Sequence, residues 1–144
     1  MGKKRITNQE GQLVDADKRG RAVARTTKKK FTSGVLSIQA TFNNTKAIVS
    51  DVKGNALFWS SSGSLGFKGA KKGTPFAASK VGEILAEKAS AAGIKEVSVV
   101  VRGVGSGREP LIRGFIGTGI ELLSIKDRTP VPHNGPKPKK PRRV

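Results

Sequence analysis

Lys68, Lys71 and Lys72 stand among Gly63, Gly66, Gly69 and Gly73, a stretch rich in both cations and glycines. Glycine lets backbone N–H groups come close to a ligand, and lysine adds charge, so the combination suits phosphate or 2′-hydroxyl oxygens. A second cationic stretch closes the chain. Five of the seven prolines fall between Arg128 and Val144, interleaved with Arg128, Lys137, Lys139, Lys140, Arg142 and Arg143. Proline fixes φ and removes backbone donors, so this tail is expected to stay out of the core and run extended, presenting its cations outward. A third stretch, Met1 to Thr32, carries the run Lys28, Lys29, Lys30 with hardly any large apolar residue, and reads as a basic arm or a solubilising extension.

With 28 Lys and Arg against 10 Asp and Glu, the net charge of +18 makes the free chain self-repelling and points to a polyanionic partner, nucleic acid first. Other chemistries fit less well. Nucleases gather several carboxylates around metal ions, but here only Asp51 and Asp127 fall at strand ends, while the other acids lie on the arm, on helix surfaces or in turns. The run Gly103-Val104-Gly105-Ser106-Gly107-Arg108 resembles a dinucleotide fingerprint, yet its third glycine comes one residue early and Pro110 and Gly114 cut into a short helix. A helix start beside Arg108 suits an RNA phosphate better. There is no cysteine, and the single histidine, His133, has no nucleophile beside it, so neither a catalytic His nor a metal centre nor any cofactor is expected. No apolar run approaches a membrane span or a signal-peptide core, so no membrane partner is expected.

The elements that must carry these groups show in the hydrophobic periodicity. Leu36, Ile38, Ala40 and Phe42 alternate with polar residues from Val35 on, a strand with one buried face. Asn43-Asn44-Thr45 supplies a turn, Lys46 to Asp51 the returning strand, Lys53-Gly54-Asn55 a second turn, and Ala56 to Ser61 a third strand. The glycine-rich stretch forbids a regular element. Thr74-Pro75 then gives an N-cap and a first helical position, with an apolar stripe of Ala77, Val81, Ile84, Leu85 and Ala89 and a stop at Gly93. Val97 to Val101 reads as a central strand covered on both faces. A short helix from Glu109 to Phe115 and a strand from Leu122 to Lys126 complete a mixed sheet flanked by helices, an α/β sandwich. The domains are then a basic arm over 1–32, an α/β body over 33–127 and a tail over 128–144.

Phe31, Phe42, Phe58, Phe76 and Phe115 are expected to be core or structural residues. Trp59 is open between core and base contact, and Phe67, between Gly66 and Lys68, is a candidate for base stacking. Asn43, Asn44, Asn55 and His133 could read sugars or exposed bases, and Asn134-Gly135 suits a tight turn.

From Ser33 to Val144 the chain resembles the universal ribosomal protein eleven family of the small subunit. Six motifs occur in the family's order and spacing: Phe42-Asn43-Asn44-Thr45, Gly54-Asn55-Ala56-Leu57-x-Trp59, Gly66-Phe67-Lys68-Gly69, Thr74-Pro75-Phe76-Ala77-Ala78, Gly107-Arg108-Glu109 and Thr129-Pro130-x-Pro132-His133-Asn134-Gly135. The ending through Arg143 and Val144 is more similar to bacterial members. The resemblance implies a three-layer fold of ribonuclease H-like topology in a non-enzymatic, cytoplasmic protein of the small ribosomal subunit that binds 16S-type rRNA. It also implies a place on the platform near the mRNA exit and the Shine-Dalgarno cleft, contacts with ribosomal proteins seven and eighteen, and a neighbourhood shared with initiation factor three. Expected RNA-binding residues are Lys28, Lys29, Lys30, Asn43, Asn44, Thr45, Asn55, Trp59, Phe67, Lys68, Gly69, Lys71, Lys72, Arg102, Arg108, Arg128, His133, Asn134, Lys137, Lys139, Lys140, Arg142 and Arg143. Two departures stand out. The family's Gly-Pro-Gly-Pro-Gly loop is here Gly103-Val104-Gly105-Ser106-Gly107, which is expected to be more mobile. Where relatives carry Cys-Arg after Asn-Gly, this chain has Pro136-Lys137, which keeps a charge without the guanidinium fork.

Overall fold

A computed structural model describes residues 30–143. Five strands form one mixed sheet: β1 (Ser33–Ala40), β2 (Thr45–Ser50), β3 (Ala56–Ser61), β4 (Glu96–Arg102) and β5 (Glu121–Asp127). Their order across the sheet is β3-β2-β1-β4-β5, with β2 antiparallel to both neighbours and β1, β4 and β5 mutually parallel. Helix α1 (Pro75–Ala91) makes the crossover from β3 to β4, and α2 (Arg108–Ile116) the crossover from β4 to β5. Both parallel connections thus run through helices, as crossovers must.

Side chains alternate across each strand, so the buried set must share one face. Leu36, Ile38, Val49, Phe58, Val97 and Val99 form a single core with Val81 and Leu85 of α1 and with Leu111 and Phe115 of α2. Each large buried side chain of this kind contributes roughly 1.5–3 kcal/mol. The two helices pack on each other through glycines: a Cβ on Gly114 would stand 2.5 Å from Ser79 O, and one on Gly82 would press on Leu111 O.

The opposite face carries exposed Ile48 and Trp59 and half-buried Val100. Among the described residues the body therefore has two layers, not the three expected, and Val97 to Val101 is buried only at alternate positions. The run of β-branched residues misled because such side chains suit a half-covered face as well as a fully covered one.

Thr74 caps α1 as expected, its Oγ1 accepting from Ala77 N–H at 3.3 Å, with Pro75 in the first turn. The stripe of Ala77, Val81, Ile84, Leu85 and Ala89 is buried. Beyond the helix end, Gly93 takes φ +88°. The glycine-rich stretch is not wholly irregular, since Gly69–Gly73 forms a single 3₁₀ turn. Phe31 and Thr32, placed in the arm by composition, already join the body: Phe31 N–H donates to Ala92 O, and Thr32 O accepts from Lys95 N–H. The rest of the expected arm, with Lys28 and Lys29, lies outside the described residues, as does Val144.

Phe58 and Phe115 are buried and Phe31 packs against the core, whereas Phe42 is 79% and Phe76 53% exposed, so neither is a core residue, although the Phe76 ring keeps a structural contact edge-on to Phe67. Phe42 falls past the end of β1, and Phe76 lies off the buried stripe that Ala77 and Ala78 begin on α1, so neither reaches the sheet-to-helix layer.

Candidate nucleic-acid interface

Strand directions decide which loops meet. The C-terminal ends of β1, β3, β4 and β5, the start of β2 and the N-termini of both helices all come to one end of the body. Hydrogen bonds join the loops there: Gly105 N–H donates to Ala40 O at 3.0 Å, Ser106 Oγ to Gly73 O at 2.9 Å, and Ser62 N–H to Thr45 O at 2.9 Å. The Gly103 to Gly107 loop is therefore tied at several points rather than loose. Gly103 takes φ +99° against Ala40, a place where a side chain has no room.

This end collects most of the expected RNA-binding groups. Lys68 and Lys71 are exposed and Lys72 half-buried, on and beside the 3₁₀ turn that Gly69 opens at φ +60°. Thr74 Oγ1 donates to Lys71 O at 2.7 Å while capping α1, so the lysine loop is fixed to the helix start. Exposed Asn43 sits beside this loop, because Gly73 packs on the backbone of Phe42 and Asn43. The N-termini of α1 and α2 add roughly half a positive charge each.

The carboxylates at this end are already paired. Arg108 binds Asp127 and Gly103 O, and Glu109 pairs with Arg113. The Thr129 hydroxyl, with its backbone N–H and then Arg108, holds the Asp127 carboxyl down at about 2, well below its ordinary range. The lysines of the loop make no ion pair among the described residues, so their charge stays available for a ligand.

Several expected contacts need correction. Arg108 sits at the helix start as expected, but its guanidinium is committed to Asp127 and Gly103 rather than offered as an anion site. Thr45 is fully buried, with its Oγ1 closed off, and cannot touch RNA. Phe67 is 4% exposed and packs edge-on to Phe76, with ring centroids 6.1 Å apart, so it is not free to stack on a base. Asn55 lies at the opposite end of the sheet, where its backbone N–H and its side-chain amide both donate to Asp51 at 2.8 Å. That pairing lowers the Asp51 carboxyl below its usual range. Because β2 and β5 run in opposite directions, Asp51 and Asp127 stand at opposite ends of the sheet, too far apart to share a metal ion. Asn44 is half-buried and spent on its own turn, its Oδ1 accepting from Thr45 N–H at 3.0 Å.

The tail leaves from the same end as the lysine loop. Arg128 N–H donates to Val101 O at 2.8 Å, and Thr129 Oγ1 accepts from Gly103 N–H at 3.2 Å; together they anchor its root. From Pro130 to Arg143 there is no helix or strand, and every residue is exposed, including His133, Lys137, Lys139, Lys140, Arg142 and Arg143. Asn134 takes φ +53° before Gly135, the tight turn that the pair suggested. Lys30, exposed, stands at the far end, where β1 begins, and so lies apart from the other cations. Arg102 and Trp59 are exposed on the uncovered sheet face.

Sequence reasoning missed Lys46 and Lys126, which share that face, although Lys46 alternates with Ala47 and Val49 and could have been placed by period alone. It also missed the Asp127–Thr129–Arg108 cluster, whose members lie up to 21 residues apart. Over residues 34–143 the chain matches the family model described as Ribosomal protein S11.

Proposed function

We propose, from the premise that this chain belongs to the ribosomal protein S11 family, that the loop end of its body and its C-terminal tail clamp separate helices of small-subunit rRNA. Membership makes the chain a small-subunit ribosomal protein of the cytoplasm, an rRNA-binding part of a ribonucleoprotein that serves translation; the family is structural, not enzymatic. The single observation that carries the clamp is that Lys68, Lys71 and Lys72, both helix N-termini and the root of a fully exposed cationic tail all lie at one end of the α/β body.

In this reading the body is a positioning block. Its loop lysines and backbone N–H groups hold phosphates of one rRNA helix, while the tail, unable to fold on itself, lies along another. The cluster of Arg108, Asp127 and Thr129 sets the direction in which the tail departs. Asn43 and His133, both exposed, are the groups left free to read sugars or unpaired bases.

The resemblance in motifs supports the finer placement: a bacterial-type member of ribonuclease H-like topology, on the platform beside the Shine-Dalgarno cleft and the mRNA exit. There it would neighbour ribosomal proteins seven and eighteen and initiation factor three. The strand order β3-β2-β1-β4-β5 with a reversed β2 is compatible with that topology. The test is reconstitution of the full chain with small-subunit rRNA, followed by sedimentation through a moderate-salt wash. Retention with the subunit is expected. A chain that stays in the soluble fraction contradicts the proposal.

A further inference from the structure

The sheet face opposite the helices is left open by every described residue, and its composition is not that of an ordinary solvated face. One register row crosses all five strands: Trp59 on β3 pairs with Ile48 on β2, Ile48 with Ser37, Ser37 with Val100 on β4, and Val100 with Lys126 on β5. Trp59 is 63% and Ile48 41% exposed, so the two make an apolar shelf, and Ser37 beside it leaves a shallow trough. Lys46 and Arg102 stand one step along the same face toward the loop end, and Gln39 between them is their register partner on both sides. Lys46, Arg102 and Lys126 make no ion pair among the described residues.

Charge selects the occupant. The carboxylates on this face, Glu96 and Glu121, are paired in register at the far end, near the start of β1 and roughly 20 Å along the strand from Arg102. Among the described residues, the half that adjoins the loop end carries cations, apolar side chains and the neutral Ser37 and Gln39, with no carboxylate on that part of the face. An aromatic shelf rimmed by cations is what a base and its flanking phosphates require, because every base has a π-face and each phosphate a charge. Residues 1–29 are themselves strongly basic, so they are a poor match to this half of the face.

We propose that this open face is a second RNA-binding surface, which stacks an unpaired base on Trp59 and holds the neighbouring phosphates with Lys46, Arg102 and Lys126. Four strand spacings make the sheet roughly 19 Å wide, enough for a short run of nucleotides but not for a duplex to insert its bases. The surface prefers loops, bulges or ends over paired helices. The inference rests on the rRNA-binding reading above and adds to it a face and a kind of RNA.

Trp59 is the only tryptophan and the chain has no tyrosine, so intrinsic fluorescence reports on this face alone. The full chain is titrated with a short single-stranded RNA, with a blunt duplex of equal charge and with a small-subunit rRNA fragment, reading Trp59 emission and filter binding together. Expected are quenching by the single strand and the fragment, little by the duplex, and a loss of single-strand affinity of roughly 5- to 150-fold in Trp59→Ala that Trp59→Phe restores in large part. Lys46→Ala with Arg102→Ala weakens the same binding and lowers its salt dependence. Because Trp59 is exposed, Trp59→Ala keeps the fold, which its circular dichroism checks. Binding of the fragment without any change in Trp59 emission overturns this inference and leaves the rRNA-binding reading intact, whereas failure of the chain to bind any RNA overturns both. The inference also falls if emission responds only to added ribosomal protein, to chain concentration without RNA, or to removal of residues 1–29.

Discussion

Replacing Lys68, Lys71 and Lys72 together by alanine should flatten the salt dependence of rRNA binding. Each phosphate neutralised by a cation contributes roughly 0.7–0.9 to the slope of log affinity against log salt, so removing three contacts lowers the slope by about 2 to 3 units. Between about 50 and 200 mM salt the unaltered chain should then lose roughly 20- to 40-fold more affinity than the triple variant. Stability should hardly move, since none of the three side chains is in the core and surface changes of this kind stay within about 0.5 kcal/mol. Arg108→Ala is the contrast. Its guanidinium is already engaged by Asp127 and Gly103 O, so the slope should change by less than about one unit, although the tail loses a constraint on its direction. Filter binding to a small-subunit rRNA fragment across a KCl series reads both variants. A triple variant with an unaltered slope, or an Arg108→Ala variant that matches it, would refute the assignment of the loop lysines as the phosphate contacts.

Gly114→Ala should destabilise the body by about 1–3 kcal/mol despite the better helix propensity of alanine, because the new methyl meets Ser79 O of the facing helix, and urea unfolding gives the value. Phe67→Ala should cost about 3–5 kcal/mol as a core truncation, while Phe67→Leu keeps the fold and leaves RNA affinity unchanged; a large affinity loss in folded Phe67→Leu would restore base stacking by Phe67. Asp127 is held at about 2 in the folded chain against 3.8, so its stabilising effect is present above about pH 4 and disappears as pH falls from about 4 to 2. Stability measured by urea unfolding should therefore fall more steeply between about pH 4 and 2 in the native chain than in Asp127→Asn, which lacks this titration and is the less stable of the two at neutral pH.

Local rules made the strands and α1 legible. Period-2 alternation placed β1, the turns at Asn43-Asn44-Thr45 and Lys53-Gly54-Asn55 bounded β2 and β3, and Thr74-Pro75 placed the start of α1, because caps, turns and pleats are set by neighbouring residues. What was not legible depends on residues distant in the chain. Whether Val97 to Val101 is covered on both faces turns on where the helices pack, and both crossovers lay them on one side. The exposure of Phe42 and Phe76 follows from their positions just outside β1 and off the buried stripe of α1, which hydrophobicity alone does not reveal. Arg108 looked like a free anion site because Asp127, its partner, is 19 residues away. Of the candidate interface, the cationic segments were visible in composition, but the meeting of loop, helix starts and tail root at one end is a product of strand order. The two lysines of the open face were overlooked because isolated charges on alternating strand positions look like ordinary solvated residues.

The clamp is tested most directly by directed cleavage of rRNA. The chain has no cysteine, so one introduced at Ala70 in the lysine loop, or at Lys139 in the tail, gives a unique site for a tethered iron chelate. In reconstituted small subunits the two positions should generate hydroxyl-radical cuts in separate rRNA helices. Cuts confined to one and the same helix from both positions, or no cuts from either, would contradict the account.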